Sequence, residues 1–595
     1  MSPLSILSVT IFCASLALIS SLNFPDEFAK VTKGVETFFN TGVPDFLPNA
    51  LKNFQLTHVF RAGMEKIFSN PQLCVLCKLV ADLIIAKRRL GVPREVLAKE
   101  AEFLCVGLGI ENGRVCRGAI GLNLDIFLHI IDHYPVRSGR ICGLLLQSYG
   151  CPNEGVFNWS VELPGGESVE RVSHKGGSFR ILQLSDVHYD PNYTPYGNAD
   201  CGKPVCCQGD QGEGSSVEKR CGFWTDYRDA DVPWHLIEET ARQVKTQDFD
   251  YVYYTGDIIS HRIWETSVSN NTKAIAKFFS FLKNTFKVPV YPIFGNHEPH
   301  PLNVWTSERV DDGLFPTRWL FKQAAEAWSE LVGQDIKETV LKGGYYTVSP
   351  KPGFRIVAIN SNLCYTFNWW LIVDDFDPYG QLKWLAETLK KAEDDNESVH
   401  ILTHVPTGAE CLNVWSREYS RIVERFSNTI TGQFCGHTHL DEFQIYYHSS
   451  KSTKPIGVVF NGASLTPFSS SNPSYKIYEV DSTSFSLRDY EEWTFNLTQA
   501  NLQPGQPPEW YKLYSFVEAY GVDNLEPEEV DKVVYKMTKD HSLLDKYFQF
   551  KYRNGDPGVG AGCDDACKRE NLCQVATTVY TDDKHCNRFL KMYHQ

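Results

Sequence analysis

The sequence predicts a layered α/β core that follows a small all-helical domain and precedes a helical C-terminal region. Three observations indicate this fold class. Apolar strand-like segments alternate with helical patterns between residues 179 and 490. Six cysteines lie among amphipathic helical patterns before this part of the chain. Further helical patterns follow it at residues 511–520, 527–539 and 543–550.

Five strand-like segments of the core end in side chains that bind metal ions. These side chains are Asp186, His188, Asp257, Asn296, His404, His437 and His439. Residues at the carboxyl ends of strands face the crevice where open α/β sheets bind ligands. Aspartate, asparagine and imidazole suit divalent ions such as zinc, manganese or iron. Two ions that share a carboxylate account for seven ligands. The alternative is that each of these side chains is an unrelated capping residue or structural histidine. This alternative requires five independent coincidences, one at the end of each strand-like segment.

The composition excludes one class of partner and favours a compartment. The net charge of −14 leaves no basic surface for nucleic acid. The 17 histidines would gain protons at acidic pH, which fits an acidic working compartment. The 18 cysteines favour an oxidising environment. We find no segment that indicates an obligate protein partner.

The N-terminal 21 residues predict a signal peptide, since an apolar run over residues 4–19 precedes Ser20 and Ser21. No second apolar run is long enough to span a membrane. We therefore expect a secreted or lysosomal protein. Five sequons predict glycosylation at Asn158, Asn192, Asn270, Asn396 and Asn496.

The chain divides into four parts after the signal peptide and the unassigned residues 22–69. We expect a helical domain at 70–155, a glycine- and proline-rich linker at 156–178, a catalytic domain at 179–490 and a helical region at 491–595. The cysteine cluster at 201–207 could bind a metal, but the secretory context favours disulfides.

Several strings resemble known families. The segments Asp186-Val187-His188, Gly256-Asp257, Gly295-Asn296-His297-Glu298, His404 and Gly436-His437-Thr438-His439 resemble, in this order, the calcineurin-like metallophosphoesterase pattern. The longer strings at 186–190, 256–261 and 436–443 resemble the acid sphingomyelinase family. The six N-terminal cysteines resemble a saposin domain, a lipid-interacting module. Together the resemblance covers nearly all of the chain after the signal peptide.

The resemblance implies a β-sandwich flanked by helices and a zinc-dependent phosphodiesterase. The substrate would be sphingomyelin, cleaved to ceramide and phosphocholine by attack of a metal-bridging hydroxide. One zinc would be held by Asp186, His188, Asp257 and His439. The other would be held by Asp257, Asn296, His404 and His437. The non-ligand residues His261 and His297 would each either protonate the leaving alkoxide or orient the phosphate, and Glu298 would support the ligands.

The disulfide pairing also follows from the resemblance, because six cysteines alone allow fifteen pairings. The implied pairs are Cys74–Cys151, Cys77–Cys142, Cys105–Cys116, Cys201–Cys206 and Cys207–Cys221. We also expect Cys364–Cys411, Cys563–Cys567 and Cys573–Cys586. Cys435 then remains as a buried free thiol.

Two other functions stay open. The chain could hydrolyse nucleotides or other soluble phosphodiesters, or it could be a lipid-binding protein on an inactive scaffold. If the chain is a sphingomyelin phosphodiesterase, as the resemblance implies, its partners are sphingomyelin in membranes or lipoproteins and an anionic membrane surface, which the protein touches peripherally. The saposin-like module would deliver lipid, with Leu124 and Phe127 exposed when it swings open on its linker. Alternatively, it only packs on the catalytic domain.

Overall fold

The computed structural model describes residues 71–594, apart from 108–110, 154, 156, 167–175, 311–313 and 451–452. The predicted signal peptide and residues 22–69 lie outside the described residues. Within the described part, no helix has the length and apolar character needed to cross a membrane.

Four helices form the N-terminal module, with bounds α1 (Pro71–Arg89), α2 (Arg94–Gly107), α3 (Gly113–His133) and α4 (Ser138–Leu145). Asn112 begins α3, because its side chain accepts the backbone N–H groups of Arg114 and Val115. Three disulfides hold the helices together, namely Cys74–Cys151, Cys77–Cys142 and Cys105–Cys116. The module is therefore a disulfide-bonded helical bundle.

Two six-stranded sheets form the core. Their strands are β1 (Ser178–Leu184), β2 (Tyr251–Tyr254), β3 (Val290–Pro292), β4 (Tyr346–Lys351), β5 (Phe354–Ala358), β6 (Ser398–Leu402), β7 (Ile430–Cys435), β8 (Phe443–Tyr447), β9 (Pro455–Asn461), β10 (Ser474–Asp481), β11 (Leu487–Thr494) and β12 (Tyr511–Ser515). The first sheet has the order β12-β11-β10-β1-β2-β3, and the second has the order β4-β5-β6-β7-β9-β8.

Helices flank both sheets. Those between the core strands are α5 (Trp234–Val244), α6 (Val268–Thr285), α7 (Arg318–Val332), α8 (Lys337–Gly343), α9 (Gln381–Asp394) and α10 (Asn413–Arg425). Those of the C-terminal region are α11 (Leu497–Leu502), α12 (Phe516–Tyr520), α13 (Pro527–Met537), α14 (Ser542–Lys551), α15 (Asp556–Gly560), α16 (Asp565–Gln574) and α17 (Lys584–Tyr593).

The strands that matter for function form the parallel parts of the two sheets, and all of them except the edge strand β3 lie in the interior of their sheet. β1, β2 and β3 are parallel neighbours, as are β5, β6, β7 and β9. Parallel strands are buried on both faces, which explains apolar runs such as Tyr-Val-Tyr-Tyr in β2. The sheets pack face to face, since the rings of Tyr253 and Phe434 lie 5.0 Å apart and Gln183 donates across to the Cys435 carbonyl at 3.0 Å. The predicted β-sandwich flanked by helices is confirmed.

The helix predicted at residues 511–520 is wrong in its first half. Residues 511–515 form β12, which pairs with β11, and only Phe516–Tyr520 is helical. Tyr514 and Ser515 are buried while Tyr511 and Lys512 are exposed, so pairing with a neighbouring strand overrides a weak local helical pattern. The boundary placed after residue 490 also falls inside β11, and the first sheet continues into the C-terminal region.

The N-terminal module shares a hydrophobic core with the second sheet and its helices. The ring of Phe127 lies 4.6 Å from that of Trp369, and Trp369 Nε1 donates to Asn123 Oδ1 at 2.9 Å. Arg140 forms an ion pair with Asp375 at 2.7 Å. These contacts fix the module against the segment that follows β5.

Part of the predicted linker is packed rather than free. Phe157, Trp159 and Val161 are buried, and the Arg417 and Arg421 side chains of α10 donate to the Trp159 and Val161 carbonyls. The glycine- and proline-rich composition therefore does not describe a free hinge over residues 157–161.

The remaining disulfides are Cys201–Cys206, Cys207–Cys221, Cys364–Cys411, Cys563–Cys567 and Cys573–Cys586. All eight pairs are those expected from the sequence and the resemblance. Cys435 is buried at the end of β7 and forms no disulfide among the described residues.

Candidate metal centre

Five strands from the two sheets end at one place, and the seven candidate ligands meet there. β1, β2 and β3 of the first sheet lead into Asp186, His188, Asp257 and Asn296. β6 and β7 of the second sheet lead into His404, His437 and His439. Six of these residues are buried, and His437 is partly exposed. The site therefore lies where the carboxyl ends of parallel strands from both sheets converge.

The first group of side chains could hold one ion. The ligand atoms of Asp186, His188, Asp257 and His439 all lie within 4.8 Å of one another. The Nε2 atoms of His188 and His439 are 3.0 Å apart, and Asp257 Oδ2 is 3.4 Å from His188 Nε2. His439 Nε2 is 3.6 Å from Asp186 Oδ1. Such separations are expected between ligands around one ion with bonds of about 2.0–2.2 Å.

The second group shares one residue with the first. The ligand atoms of Asp257, His404 and His437 lie within 4.8 Å of one another. The Asn296 amide oxygen joins them, 2.9 Å from His404 Nε2 and 2.8 Å from His437 Nδ1. Asp257 Oδ2 is 3.2 Å from His404 Nε2. Asp257 thus belongs to both groups, as a bridging carboxylate would.

The hydrogen bonds of the site leave lone pairs of neighbouring ligand atoms facing one another with no hydrogen between them. His188 Nδ1 lies 2.8 Å from the Ile259 carbonyl oxygen, and His404 Nδ1 lies 2.7 Å from that of Thr255. A carbonyl oxygen only accepts hydrogen bonds, so Nδ1 carries the hydrogen in each ring. In the neutral form of such a ring, Nε2 has no hydrogen and presents a lone pair. These lone pairs point at other acceptors, and a cation between them removes the repulsion. The residues present therefore fit divalent metal ions.

The electrostatics of the site favour a bound cation. Burial would raise the pKa of Asp257, but His404, His297 and His188 hold it well below its usual range. Burial would lower the pKa of His404, but the carboxylates of Asp257 and Asp186 raise it to about 9. Burial, together with neighbouring histidines, lowers the pKa of His188 well below its usual value. An ionised Asp257 carboxylate and a neutral His188 imidazole are the forms that bind metals, and the raised pKa of His404 reflects the same negative charge that a bound cation would neutralise.

The candidate ligand histidines are also held through their second ring nitrogens. Besides the carbonyl contacts of His188 and His404, His439 Nδ1 lies 3.3 Å from Ser469 Oγ. His437 Nε2 lies 3.1 Å from Glu410 Oε2. Burial would raise the pKa of Glu410, but His437 lowers it, so the carboxylate stays ionised. Such partners fix the ring orientation and raise the basicity of a ligand.

The backbone at this site is unusual. Five of the seven candidate ligands have positive φ angles, namely Asp186 (48°), His188 (45°), Asp257 (64°), His437 (80°) and His439 (62°). Only a few per cent of non-glycine residues adopt this region, although aspartate and histidine do so more often than most. Sparsely populated backbone conformations cluster at functional sites, where the surrounding structure enforces them.

His261 lies beside the first group and has a carboxylate partner. Its Nδ1 lies 2.8 Å from Asp231 Oδ1, and its backbone N–H donates to Asp231 Oδ2 at 2.6 Å. Thr466 Oγ1 also donates to Asp231 at 3.1 Å. The ring stacks between Phe468 and His188, with a centroid distance of 4.0 Å to each. Its Nε2 is buried and makes no hydrogen bond in the described part of the chain.

His297 is held differently. Its backbone N–H donates to Asp257 Oδ1 at 2.8 Å, and its Nδ1 is 3.4 Å from the Ser260 carbonyl oxygen. Burial lowers the pKa of His297 to about 4, although Asp257 opposes this shift. The neighbouring Glu298 accepts the backbone N–H groups of Gly295 and Asp257. Glu298 therefore ties the turns after β2 and β3 together.

Sequence reasoning missed three residues of this site. The ligands were found because each ligand motif directly follows an apolar strand-like segment. Asp231, Thr466 and Glu410 do not have this position, and none is part of a motif with a defined spacing. Their partners are more than twenty positions away in each case, so only the fold brings them into contact.

Two family models match the chain. Residues 179–441 match the calcineurin-like phosphoesterase model. Residues 454–593 match the model of the acid sphingomyelin phosphodiesterase C-terminal region. The first match spans all seven candidate ligands.

Two similar relatives are a sphingomyelin phosphodiesterase of Bos taurus and one of Homo sapiens. The bovine protein is 36% identical over 79% of this chain and 76% of its own length. The human protein is 34% identical over 84% of this chain and 80% of its own length. The match to a solved dimetal phosphatase from Danio rerio covers 53% of this chain and 95% of that chain, with 15% identity and a TM-score of 0.33.

Proposed function

Since this chain belongs to the sphingomyelin phosphodiesterase family, we propose that it hydrolyses sphingomyelin to ceramide and phosphocholine at the site described above. One observation carries the mechanism. Two groups of metal-type ligands share Asp257, and the histidine–aspartate pair of His261 and Asp231 lies directly beside them.

We propose that the divalent ions are zinc and that there are two of them. A donor set of imidazole nitrogens and carboxylate or amide oxygens suits zinc. When bound, two such ions supply an acidified water as nucleophile and neutralise charge on the phosphate. The proposed ligands are those of the two groups, with Asp257 common to both. Asn296 is neutral, which limits the negative charge around a site that must admit a phosphodiester.

The leaving group of sphingomyelin needs a proton, and we assign its delivery to His261. Cleavage of the bond between phosphorus and the ceramide oxygen leaves an alkoxide, a poor leaving group unless it is protonated. His261 Nδ1 is fixed on Asp231, which leaves Nε2 to carry the transferable proton. Among the described residues, no carboxylate forms a hydrogen bond with the His297 ring, so we assign His297 the role of orienting the phosphate.

Product analysis tests the activity. Vesicles of sphingomyelin should release phosphocholine and retain ceramide when zinc is present, and a chelator should stop the release. Hydrolysis of nucleotides or other soluble phosphodiesters without any action on sphingomyelin would instead establish the soluble-substrate alternative. Binding of sphingomyelin vesicles with no hydrolysis of any diester would establish an inactive lipid-binding scaffold.

We further propose that the N-terminal module is a saposin-type domain that contacts an anionic membrane. The apolar side chains Leu90 and Val96 lie near the turn between α1 and α2 and are 84% and 42% exposed. Arg89 precedes Leu90 and is exposed, so it adds one positive charge to this apolar surface, whereas Arg88 is paired with Asp132 at 2.6 Å.

The cavity of the module is too small in this conformation to enclose a lipid chain. This cavity has a volume of about 60 Å³ and is lined by residues that include Leu124, Phe127 and Ile131. This is well below the roughly 150 Å³ that admits one benzene molecule. Leu124 and Phe127 are half-buried here, so substitutions at these two positions would report packing as well as membrane contact.

The structural role of the module also has support. A Cβ atom at Gly118 of α3 would meet the Trp264 carbonyl oxygen at 2.4 Å, so the helix lies directly on the segment that follows His261. Arg114 forms ion pairs with Asp210 at 2.6 Å and with Glu265 at 2.7 Å. The module therefore supports the loop that carries the proposed acid, whether or not it contacts lipid.

Replacing Leu90 and Val96 together with serine should slow hydrolysis of sphingomyelin in anionic vesicles by about tenfold or more, because burying one such side chain contributes about 1.5–3 kcal/mol. Hydrolysis of a soluble nitrophenyl phosphodiester should not change. Leu502→Ser is the matched control, since Leu502 is a 70% exposed leucine outside the module. Equal rates on vesicles for the double variant and the wild type would remove the membrane role.

The eight disulfides are consistent with a protein of the secretory pathway. We propose secretion or lysosomal delivery and glycosylation at the five sequons. Asn158, Asn192, Asn270 and Asn396 are exposed. Asn496 is partly exposed, and its side-chain oxygen caps α11 by accepting the Gln499 N–H at 2.8 Å.

A further inference from the structure

One arginine of the C-terminal region lies beneath the candidate metal centre. Arg553 follows α14 by two residues, its side chain is fully buried, and its φ angle is 49°. The segment around it carries none of the seven candidate ligands, and the proposed chemistry does not use it. A guanidinium buried this deeply is costly unless its hydrogen bonds are satisfied.

The guanidinium donates on three sides. Arg553 Nη1 donates to the His439 carbonyl oxygen at 2.9 Å, and Nε donates to the Asn472 carbonyl oxygen at 2.7 Å. Its Nη2 donates to Ser464 Oγ at 3.2 Å and to Ser471 Oγ. Arginine suits this task because its planar fork fixes several acceptors in one geometry.

The backbone of His439 is thereby held in an unfavourable conformation. His439 has a φ angle of 62°, and its carbonyl oxygen accepts from both Arg553 and Ser464 Oγ, the latter at 3.1 Å. Lys551 holds the next residues of the same loop. Its carbonyl oxygen accepts the Asp441 N–H at 3.0 Å, and its Nζ lies 2.8 Å from Glu442 Oε1.

We infer that Arg553 is a positioning residue for the metal centre. It fixes the carbonyl of His439 and so directs the His439 ring at Asp186 and His188. The C-terminal region then completes the ion site formed by the first group, although it supplies no ligand. This inference rests on the proposed two-ion function.

The test compares metal retention in Arg553→Lys with that of the wild type. Lysine keeps the charge but loses the fork. Each protein is loaded with zinc and dialysed against graded concentrations of a chelator, and the zinc per chain is measured. Partners of metal ligands typically contribute 10–100-fold in metal affinity. We expect Arg553→Lys to lose one ion at a chelator concentration roughly 10–100-fold lower than the concentration that removes it from the wild type. The other ion should be retained as in the wild type.

A second readout and a matched control separate positioning from general stability. Cobalt(II) replaces zinc, and the visible absorption of the loaded protein reports the coordination geometry, which should change in Arg553→Lys. Val533→Ala is the control, because Val533 is fully buried in α13, a helix of the same region that packs on β9. It should lower the melting temperature without changing the metal titration or the cobalt spectrum.

Two outcomes decide the inference, and a third decides the proposed function on which it rests. If Arg553→Lys retains both ions like the wild type and only melts earlier, Arg553 is a structural residue and the inference is wrong. If Arg553→Lys does not fold, Ser464→Ala removes one contact each from Arg553 and His439, and an unchanged titration there contradicts the inference. If the wild type itself binds fewer than two ions, the proposed function fails before any variant is compared.

Discussion

Replacing Asp257 with alanine should release both zinc ions and abolish hydrolysis. Asp257 Oδ2 faces His188 on one side and His404 on the other, so one carboxylate serves both groups. Its loss also leaves the His297 backbone N–H without its acceptor. The loss of activity should exceed the 10–100-fold that removal of an outer partner typically costs. Zinc per chain, measured by elemental analysis, and phosphocholine release are the two readouts.

Two variants show whether the effect comes from bridging. Asp257→Asn keeps the shape and an acceptor for the His297 N–H but removes the charge, so it should bind zinc poorly and remain nearly inactive. Asn296→Ala removes a ligand of one group only, so it should keep one ion and more residual activity than Asp257→Ala. A fully active Asp257→Ala protein, or a wild type that is active with no metal, would refute the two-ion assignment.

Substitution of His261 by alanine should lower turnover on sphingomyelin by about 10²–10⁴-fold, the usual contribution of a general acid. Zinc content should stay at the wild-type level, because His261 is not among the seven proposed ligands. A diester with a nitrophenolate leaving group needs no proton, so the variant should hydrolyse it at nearly the wild-type rate. Measured rates on the two substrates therefore isolate proton delivery.

Asp231→Asn provides the matched test of the proposed pair. Asparagine keeps the size of the side chain but offers an amide where Asp231 presents acceptors to both His261 Nδ1 and the His261 N–H. We expect a loss on sphingomyelin close to that of His261→Ala, again with rescue by the good leaving group. His297→Ala should slow both substrates alike if it orients the phosphate. Rescue of His297→Ala but not of His261→Ala would exchange the two roles.

The ligand positions could be predicted because each ligand motif directly follows an apolar strand in the sequence, and the ends of these strands lie together in the fold. Asp186, Asp257 and His404 each follow a short, strongly apolar segment, and parallel strands present their carboxyl ends to one edge. The separation of two residues in Asp186-x-His188 and in His437-x-His439 would place both side chains on one face of an extended chain. The structure reaches the same convergence through left-handed turns at these residues, which no pattern of residue types reveals.

The rest of the site depends on contacts between distant segments. Asp231 lies in a loop between β1 and β2. It meets His261 because Tyr189 bridges both Val232 and Ile259, which lie next to Asp231 and two residues before His261. Glu410 lies six positions after His404 but reaches His437 of another strand. β12 was misassigned for a related reason, since residues 511–515 become a strand only because β11 offers a free edge. Local propensity cannot report an edge that belongs to a different part of the chain.

The common core of the N-terminal module and the second sheet has a consequence for biosynthesis. Trp369 and Trp370 are buried partly by helices that the ribosome releases more than 200 residues earlier. We therefore expect the module to be synthesised first and the catalytic domain to bury Trp369 and Trp370 against it as it folds. A chain that starts at residue 156 should expose these indoles and aggregate rather than accumulate as a folded catalytic domain. Secreted yield of that chain, alone and co-expressed with residues 71–155, measures how far folding depends on the earlier segment.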